Sequence, residues 1–282
     1  MKHHETFLKQ RSKKPHFSFL PMRIPRVVLA PFVTALLVLA FALDDVTKAT
    51  IERAHRMQAK GDVVGAQDVL VAALTSLMEA KAPDDDAAVV ELRFELGSVL
   101  YELRDYAAAK AYLVKAREAH RRRFGAEDPD KKNPDWGDLS TAAVLDALGN
   151  TLDRLNEFHA ERDAYKHALA IKVRLLGEED SLVTAAALIG TAIASKTVGE
   201  LGNALKMHQR ALTIQQRVLG PMHRDLAVTH HNIGNVLLEL GRDDLALAAH
   251  EKALEIRLKH EDKDPISVAM SYNAYVECTK RA

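Results

Sequence analysis

The sequence predicts an all-α solenoid of antiparallel helix pairs, five repeats followed by one C-terminal helix. Three observations predict it. Among the 282 residues 48% are hydrophobic and only 5% aromatic, with five of the eight Phe before residue 44. A body rich in Ala and Leu and poor in rings favours close-packed helices over sheets. Second, one pattern recurs along the chain: LGSVLYELRDYAAAKAYLVKAREA from Leu96, LGNTLDRLNEFHAERDAYKHALAI from Leu148 and IGNVLLELGRDDLALAAHEKALEI from Ile233. Third, a Gly in each is followed nineteen residues later by an Ala, as in Gly97 to Ala116, Gly149 to Ala168 and Gly234 to Ala253. Self-similarity at a period of about 42 residues is the mark of a repeat architecture.

The first 43 residues stand apart. They carry seven Lys/Arg against one Glu, which leaves the remaining 239 residues with 32 Lys/Arg against 38 Asp/Glu. The mildly acidic body argues against nucleic acid as a partner. Residues 1–26 form a basic leader, and residues 27–43 read VVLAPFVTALLVLAFAL without a charge. That length is at the short limit for a bilayer span. The same stretch fits an export signal with Ala40-Phe41-Ala42 as the cleavage site, with initiation at Met22 giving a more ordinary basic region. As a retained anchor, the positive-inside rule places the N-terminus in the cytosol and the body across the membrane. An organelle transit sequence and a buried first helix are weaker readings, because Glu5 interrupts the basic run and Pro31 the apolar one. If the leader is unused, the protein is cytoplasmic.

Residues 44–282 divide into repeats at about 44–82, 84–124, 136–177, 180–220 and 224–262, with a terminal helix at 264–281. The first copy carries Ala54 and Ala73 in the Gly and Ala places, and the fourth is aligned as Gly190 to Ala211 with two extra residues around Gly199 and Gly202. Each copy reads as two helices. Leu145, Leu148, Leu152 and Leu155 lay one apolar stripe, and Gly61, Asn156 or Gly241 then breaks the helix where left-handed backbone is cheapest. Ala66, Ala109, Ala204 and Ala246 are small residues of the second helix, a series that Glu161 interrupts. Two prolines and several charges in AEDPDKKNPDWGD mark a loop between the second and third copies. Over residues 264–281, Val276 takes the glycine place and no second helix follows. Ser271, Asn273, Glu277 and Lys280 would give a polar outer face to a cap; a truncated chain is the competing reading.

The pattern resembles the tetratricopeptide repeat, and more narrowly the longer repeats of the kinesin-light-chain-like family, through the endings ALAIKVRLLG (168–177), ALTIQQRVLG (211–220) and ALEIRLKH (253–260). The resemblance implies a right-handed superhelix whose first helices line a concave groove that binds a peptide or protein. Nothing resembles the heptad stalk by which light chains join heavy chains, so an interaction scaffold is expected ahead of a cargo adaptor. In peptide-binding members the residue after the first-helix glycine is often an Asn that bonds the ligand backbone. Asn150 and Asn235 hold that place here, with His55, Ser98, Thr191 and Glu277 in the other copies; Phe94, Asp146, Ala187, His231 and Asn273 lie one turn earlier. Asp153 and Arg154 follow one turn later. The candidate groove residues are therefore Asn150, Asn235, Asp146, His231, Asp153 and Arg154. None of these places offers the Lys or Arg pair of a carboxylate clamp, apart from Arg154 at its edge. A structural subunit that assembles through its stack ends or convex face is the alternative.

Chemistry is weakly signalled. The one cysteine, Cys278, excludes an internal disulfide or a cysteine-based zinc cluster. His230 and His231 are adjacent and point to different faces. His208 and His250 hold equivalent second-helix places that usually carry an aromatic ring. His223-Arg224-Asp225-Leu226 imitates a kinase loop without its Asn or Gly-rich partner. His120-Arg121-Arg122-Arg123 suits a helix C-terminus. No enzyme activity, cofactor, metal or small-molecule substrate is expected.

Overall fold

The computed structural model describes residues 45–124, 137–177, 181–260 and 265–281, with the side chains of 265–267 and 281 excepted. The basic leader, the apolar segment 27–43 and most of the charged insertion lie outside the described residues. Within them are eleven helices and no strand. Five pairs follow one another: α1 (Asp45–Ala59) with α2 (Val63–Glu79), α3 (Ala87–Glu102) with α4 (Tyr106–Phe124), α5 (Leu139–Arg154) with α6 (Phe158–Leu176), α7 (Leu182–Thr197) with α8 (Leu201–Leu219), and α9 (Leu226–Glu239) with α10 (Asp243–Lys259). Helix α11 (Pro265–Arg281) closes the series. No helix among the described residues is long and apolar enough to cross a membrane.

One backbone device makes every hairpin. The residues that end the first helices are Gly61, Arg104, Asn156, Gly199 and Gly241, all at positive φ. After each, the next N–H turns back to a carbonyl five residues earlier, as in Glu157 to Leu152 (2.9 Å) and Arg242 to Leu237 (2.9 Å). This left-handed ending satisfies carbonyls that the helix would leave bare. Arg104 adopts it at φ 64° despite carrying a side chain. Polar residues begin several helices: the Asp138 carboxylate accepts from the Thr141 amide and hydroxyl, and the Ser181 hydroxyl accepts from Thr184.

The turn series corrects the register of the fourth copy. Each positive-φ residue stands seven places after the small residue of its first helix, which selects Ala192 rather than Gly190. Ala192 is fully buried, and it restores the nineteen-residue spacing to Ala211 with no insertion. A Cβ added to Gly190 would meet nothing closer than the Tyr165 ring at 3.9 Å, whereas one added to Gly97, Gly149 or Gly234 would lie 2.6, 2.9 or 2.5 Å from Leu113, Tyr165 or His250. Those three glycines therefore sit at true helix crossings. The side chain sixteen residues on closes each crossing: Leu70, Leu113, Tyr165, His208 and His250.

Burial joins the repeats into one body. Ile51, Ala54, Leu70, Leu92 and Leu96 form a cluster across α1, α2 and α3, and Phe94, Leu113, Ala116, Leu148 and Ala164 form another across α3 to α6. Each buried Leu contributes roughly 1.5–3 kcal/mol, so most stability lies at interfaces between neighbours. The terminal helix departs from expectation at Ser271. Ser271 is fully buried and accepts a hydrogen bond from the Arg257 guanidinium, while Met270 and Tyr272 are the large side chains left outside. Of the four side chains expected on a polar outer face, Asn273, Glu277 and Lys280 are exposed and Ser271 alone is not.

Gly234→Ala should destabilise the protein by about 1–3 kcal/mol, because the His250 ring must move. Gly190→Ala should be neutral or add up to about 1 kcal/mol through helix propensity. Urea unfolding curves of the two variants check this. Equal losses would return the small position to Gly190.

Candidate peptide-binding groove

Consecutive first helices touch one another directly, α1 with α3, α3 with α5 and α7 with α9, while no two second helices meet to the same extent. The first helices therefore line the inner side of the stack. On that side α3 and α5 bound a slot with a cavity volume of about 40 Å³, walled by Phe94, Ser98, Tyr101, Ala143, Ala147 and Asn150. The Tyr165 hydroxyl, from the ring that fills the space under Gly149, donates to Asn150 Oδ1 at 2.7 Å. That bond fixes the amide and leaves its NH2 as the group offered to a ligand.

The other candidate residues fall into two groups separated by α7. Asp153 and Arg154 are exposed at the end of α5, and Arg154 Nε donates to the Tyr101 hydroxyl across the slot at 3.2 Å. Asp146 is not open to a ligand: it is buried and ion-paired with Lys172 of α6. Burial raises its carboxyl and the Lys172 ammonium opposes that rise. On α9, Asn235 is half-buried, and His231 packs its ring edge-on against His250 with centroids 5.1 Å apart. The corrected register also replaces Ala187 and Thr191, both buried, with Ile189 and Ile193 on the inner face of α7.

Sequence reasoning passed over an inner-face pair. His55 Nε2 lies 2.8 Å from Glu95 Oε2, joining α1 to α3, and this bond holds the imidazole above its ordinary value. Beside it Glu91 is pushed up to about 8 by burial, with Glu95 and Asp138 adding to the rise. The signal was present in the four- and seven-residue spacing of Glu91, Glu95 and Glu102, but a charge run is normally a solvated face.

Two further groups hold unusual charges at ordinary packing places. Glu161 replaces the small residue of the second helix, is 4% exposed, and has no partner for Oε2. Burial, then the nearby Asp153 charge, pushes it up to about 7. His208 and His250 are fully buried with no partner for either ring nitrogen. Burial pushes both down to about 4, with Lys196 adding to this at His208 and His231 at His250. The ring that meets His250 is thus that of His231. Among the described residues no three His, Cys, Asp or Glu side chains are grouped to hold a metal ion. A Ser–His arrangement does occur: Ser140 Oγ is 3.4 Å from His120 Nε2, and the Thr141 hydroxyl, which donates to Asp138, is 3.1 Å from Nδ1. Ser140 and His120 are both buried, so the set fastens the end of α4 to the start of α5.

Stacked helical hairpins with a small residue at each crossing and a groove along the first helices define a helical-repeat interaction scaffold. Two sequence profiles described as Tetratricopeptide repeat match the chain, one over 95–130 and 141–181 and one over 183–259. The chain belongs to the tetratricopeptide repeat family. A search of curated proteins finds no match. Solved structures share the fold. BtubC (BKLC) from P. vanneervenii is 21% identical with a TM-score of 0.57, covering 84% of this chain and 85% of that one. The kinesin light chain TPR-like repeats from Podosopora anserina are 16% identical with a TM-score of 0.64, covering 77% and 97%. YrrB, described as a TPR protein with an unusual peptide-binding site, is 18% identical with a TM-score of 0.52, covering 79% and 90%.

The two kinds of buried group give opposite pH slopes. Folded Glu161 holds its proton up to about 7, whereas an unfolded Glu releases it near 4.5, so its contribution to stability falls as pH rises through that window. Glu161→Ala should therefore stabilise by roughly 1–3 kcal/mol at about pH 8, and by progressively less toward pH 4.5. Thermal melts at both ends check it. Folded His208 and His250 resist protonation until about 4, whereas unfolded His takes a proton near 6.5. Stability of the last two repeats should fall as pH drops from about 6.5 to 4. Hydrogen exchange should show α8 to α10 opening before α3 and α4 at pH 5; uniform opening would contradict it.

Proposed function

We propose that this protein is a scaffold that holds an extended peptide or protein segment in the groove of its first helices. The observation that carries this reading is the Asn150 amide, oriented by Tyr165 at the mouth of the α3–α5 slot. An amide fixed in this way bonds a ligand backbone without first paying for its own ordering. Asn235 repeats the position two repeats on, with no intramolecular side-chain bond of its own among the described residues. Family membership and the peptide-binding description of YrrB support the same reading. The uncharged segment 27–43 supports a membrane tether or export signal for this scaffold.

A second reading, a structural subunit of a larger assembly, is favoured by the end helix α11, where Tyr272 is 56% exposed. Kinesin-type cargo adaptation is a narrower case of the first reading.

Asn150→Ala with Asn235→Ala should weaken a groove ligand about tenfold to a hundredfold and leave the helical circular-dichroism spectrum unchanged. Cross-linked partners from the host, compared between the native chain and the double variant, provide the measurement. Partners that persist with the double variant but vanish with Tyr272→Asp would establish the assembly reading instead.

A further inference from the structure

The inner face changes chemistry along its length. Toward the N-terminus α1, α3 and α5 expose the carboxylates of Glu52, Glu102 and Asp153. Toward the C-terminus the inner face exposes large apolar side chains, Ile193 of α7 at 46%, Val228 of α9 at 51% and Met270 of α11 at 54%, alongside Glu239 and Lys280. Ile189, one turn before Ile193, is half-buried. Leaving such side chains in water forgoes roughly 1.5–3 kcal/mol for each that burial would return. Apolar surface gathered along a groove with a polar rim marks an interaction site.

Beside Ile193 and Val228 the charged groups are paired among the described residues, and Lys280 stands at the far end of α11 from Met270. Lys196 of α7 and Glu239 of α9 meet at 2.8 Å and satisfy each other. Asn232 and Asn235 are neutral amides on the same face. His231 is held below its ordinary value by burial and by Arg257, and its ring is engaged with His250. Glu277 of α11 already has a partner. A charged ligand side chain laid over Ile193 and Val228 would lose water and find no free counter-charge beside them among the described residues, which is costly. An apolar side chain there loses nothing and covers exposed carbon.

We propose that the α7–α9–α11 half of the groove receives an uncharged, apolar stretch of an extended partner polypeptide. Asn232 and Asn235 bond its backbone, and Ile189, Ile193, Val228 and Met270 take its side chains. This rests on the groove reading above and adds the chemistry of the partner.

The probe is a random peptide library displayed on phage and selected on the full-length chain, followed by synthesis of the enriched peptides with a fluorescein label. Enriched sequences should share a run of apolar residues without charge. By fluorescence anisotropy, Ile193→Asp and Val228→Asp should each weaken them about tenfold or more, and Glu102→Gln should not. Both substituted side chains are exposed, so unchanged melting temperatures confirm that the variants fold. Enriched peptides that are charged, lose affinity with Asn150→Ala or Asn235→Ala and ignore Ile193→Asp would overturn this inference and leave the groove reading standing. Apolar peptides indifferent to all these substitutions, or no enrichment at all, would overturn both.

Discussion

Everything in this structure depends on the crossing of two helices within each repeat. A Gly or Ala on the first helix faces a Leu, Tyr or His sixteen residues later, and the approach is so close that a Cβ on Gly234 would fall 2.5 Å from the His250 ring. Because the crossing is tight, the hairpin must turn within three residues, and the left-handed residue seven places on does this. Because the turn is short, the rotation of the first helix about its axis is set. That rotation decides which residues face the neighbouring repeat and which line the groove.

Repetition of one crossing lets individual places carry unlike chemistry. The residue closing the crossing is Leu in the first two copies, Tyr in the third and His in the last two. Tyr165 spends its hydroxyl on Asn150 and so links packing to the groove. His250 gives its edge to His231 and leaves both nitrogens without partners. Glu161 does something comparable in the small-residue series. Such groups cost stability where the fold alone would choose Ala or an aromatic ring. Their effect is local, since each repeat packs against its neighbours and little else. In consequence the stability contributions of Glu161 and of His208 and His250 have opposite pH slopes.

The groove inherits this division. Its N-terminal half holds exposed carboxylates, an Arg154–Tyr101 contact and a His55–Glu95 pair. Its C-terminal half presents apolar side chains, amides and an ion pair closed on itself. One surface therefore presents charge toward one end and apolar carbon toward the other.

The helix pairs, their number, the turns at Gly61, Asn156 and Gly241 and the family were legible in the amino-acid order, because small residues at nineteen-residue spacing have few other physical explanations. The fourth copy shows the limit of that logic. Gly190 and Ala192 are both small, and only the positive φ of Gly199 and the burial of Ala192 show which one faces α8. That two-residue shift turns α7 by more than half a turn and puts Ile189 and Ile193 on the inner face. Asp146 was legible as an inner-face position but not as the partner of Lys172, since a residue's place on a helix does not reveal what reaches it from the next one. Local spacing determined the repeat, because periodicity is a property of the chain. Tertiary packing alone decided which polar groups remain for a ligand, because burial and pairing depend on neighbours distant in sequence.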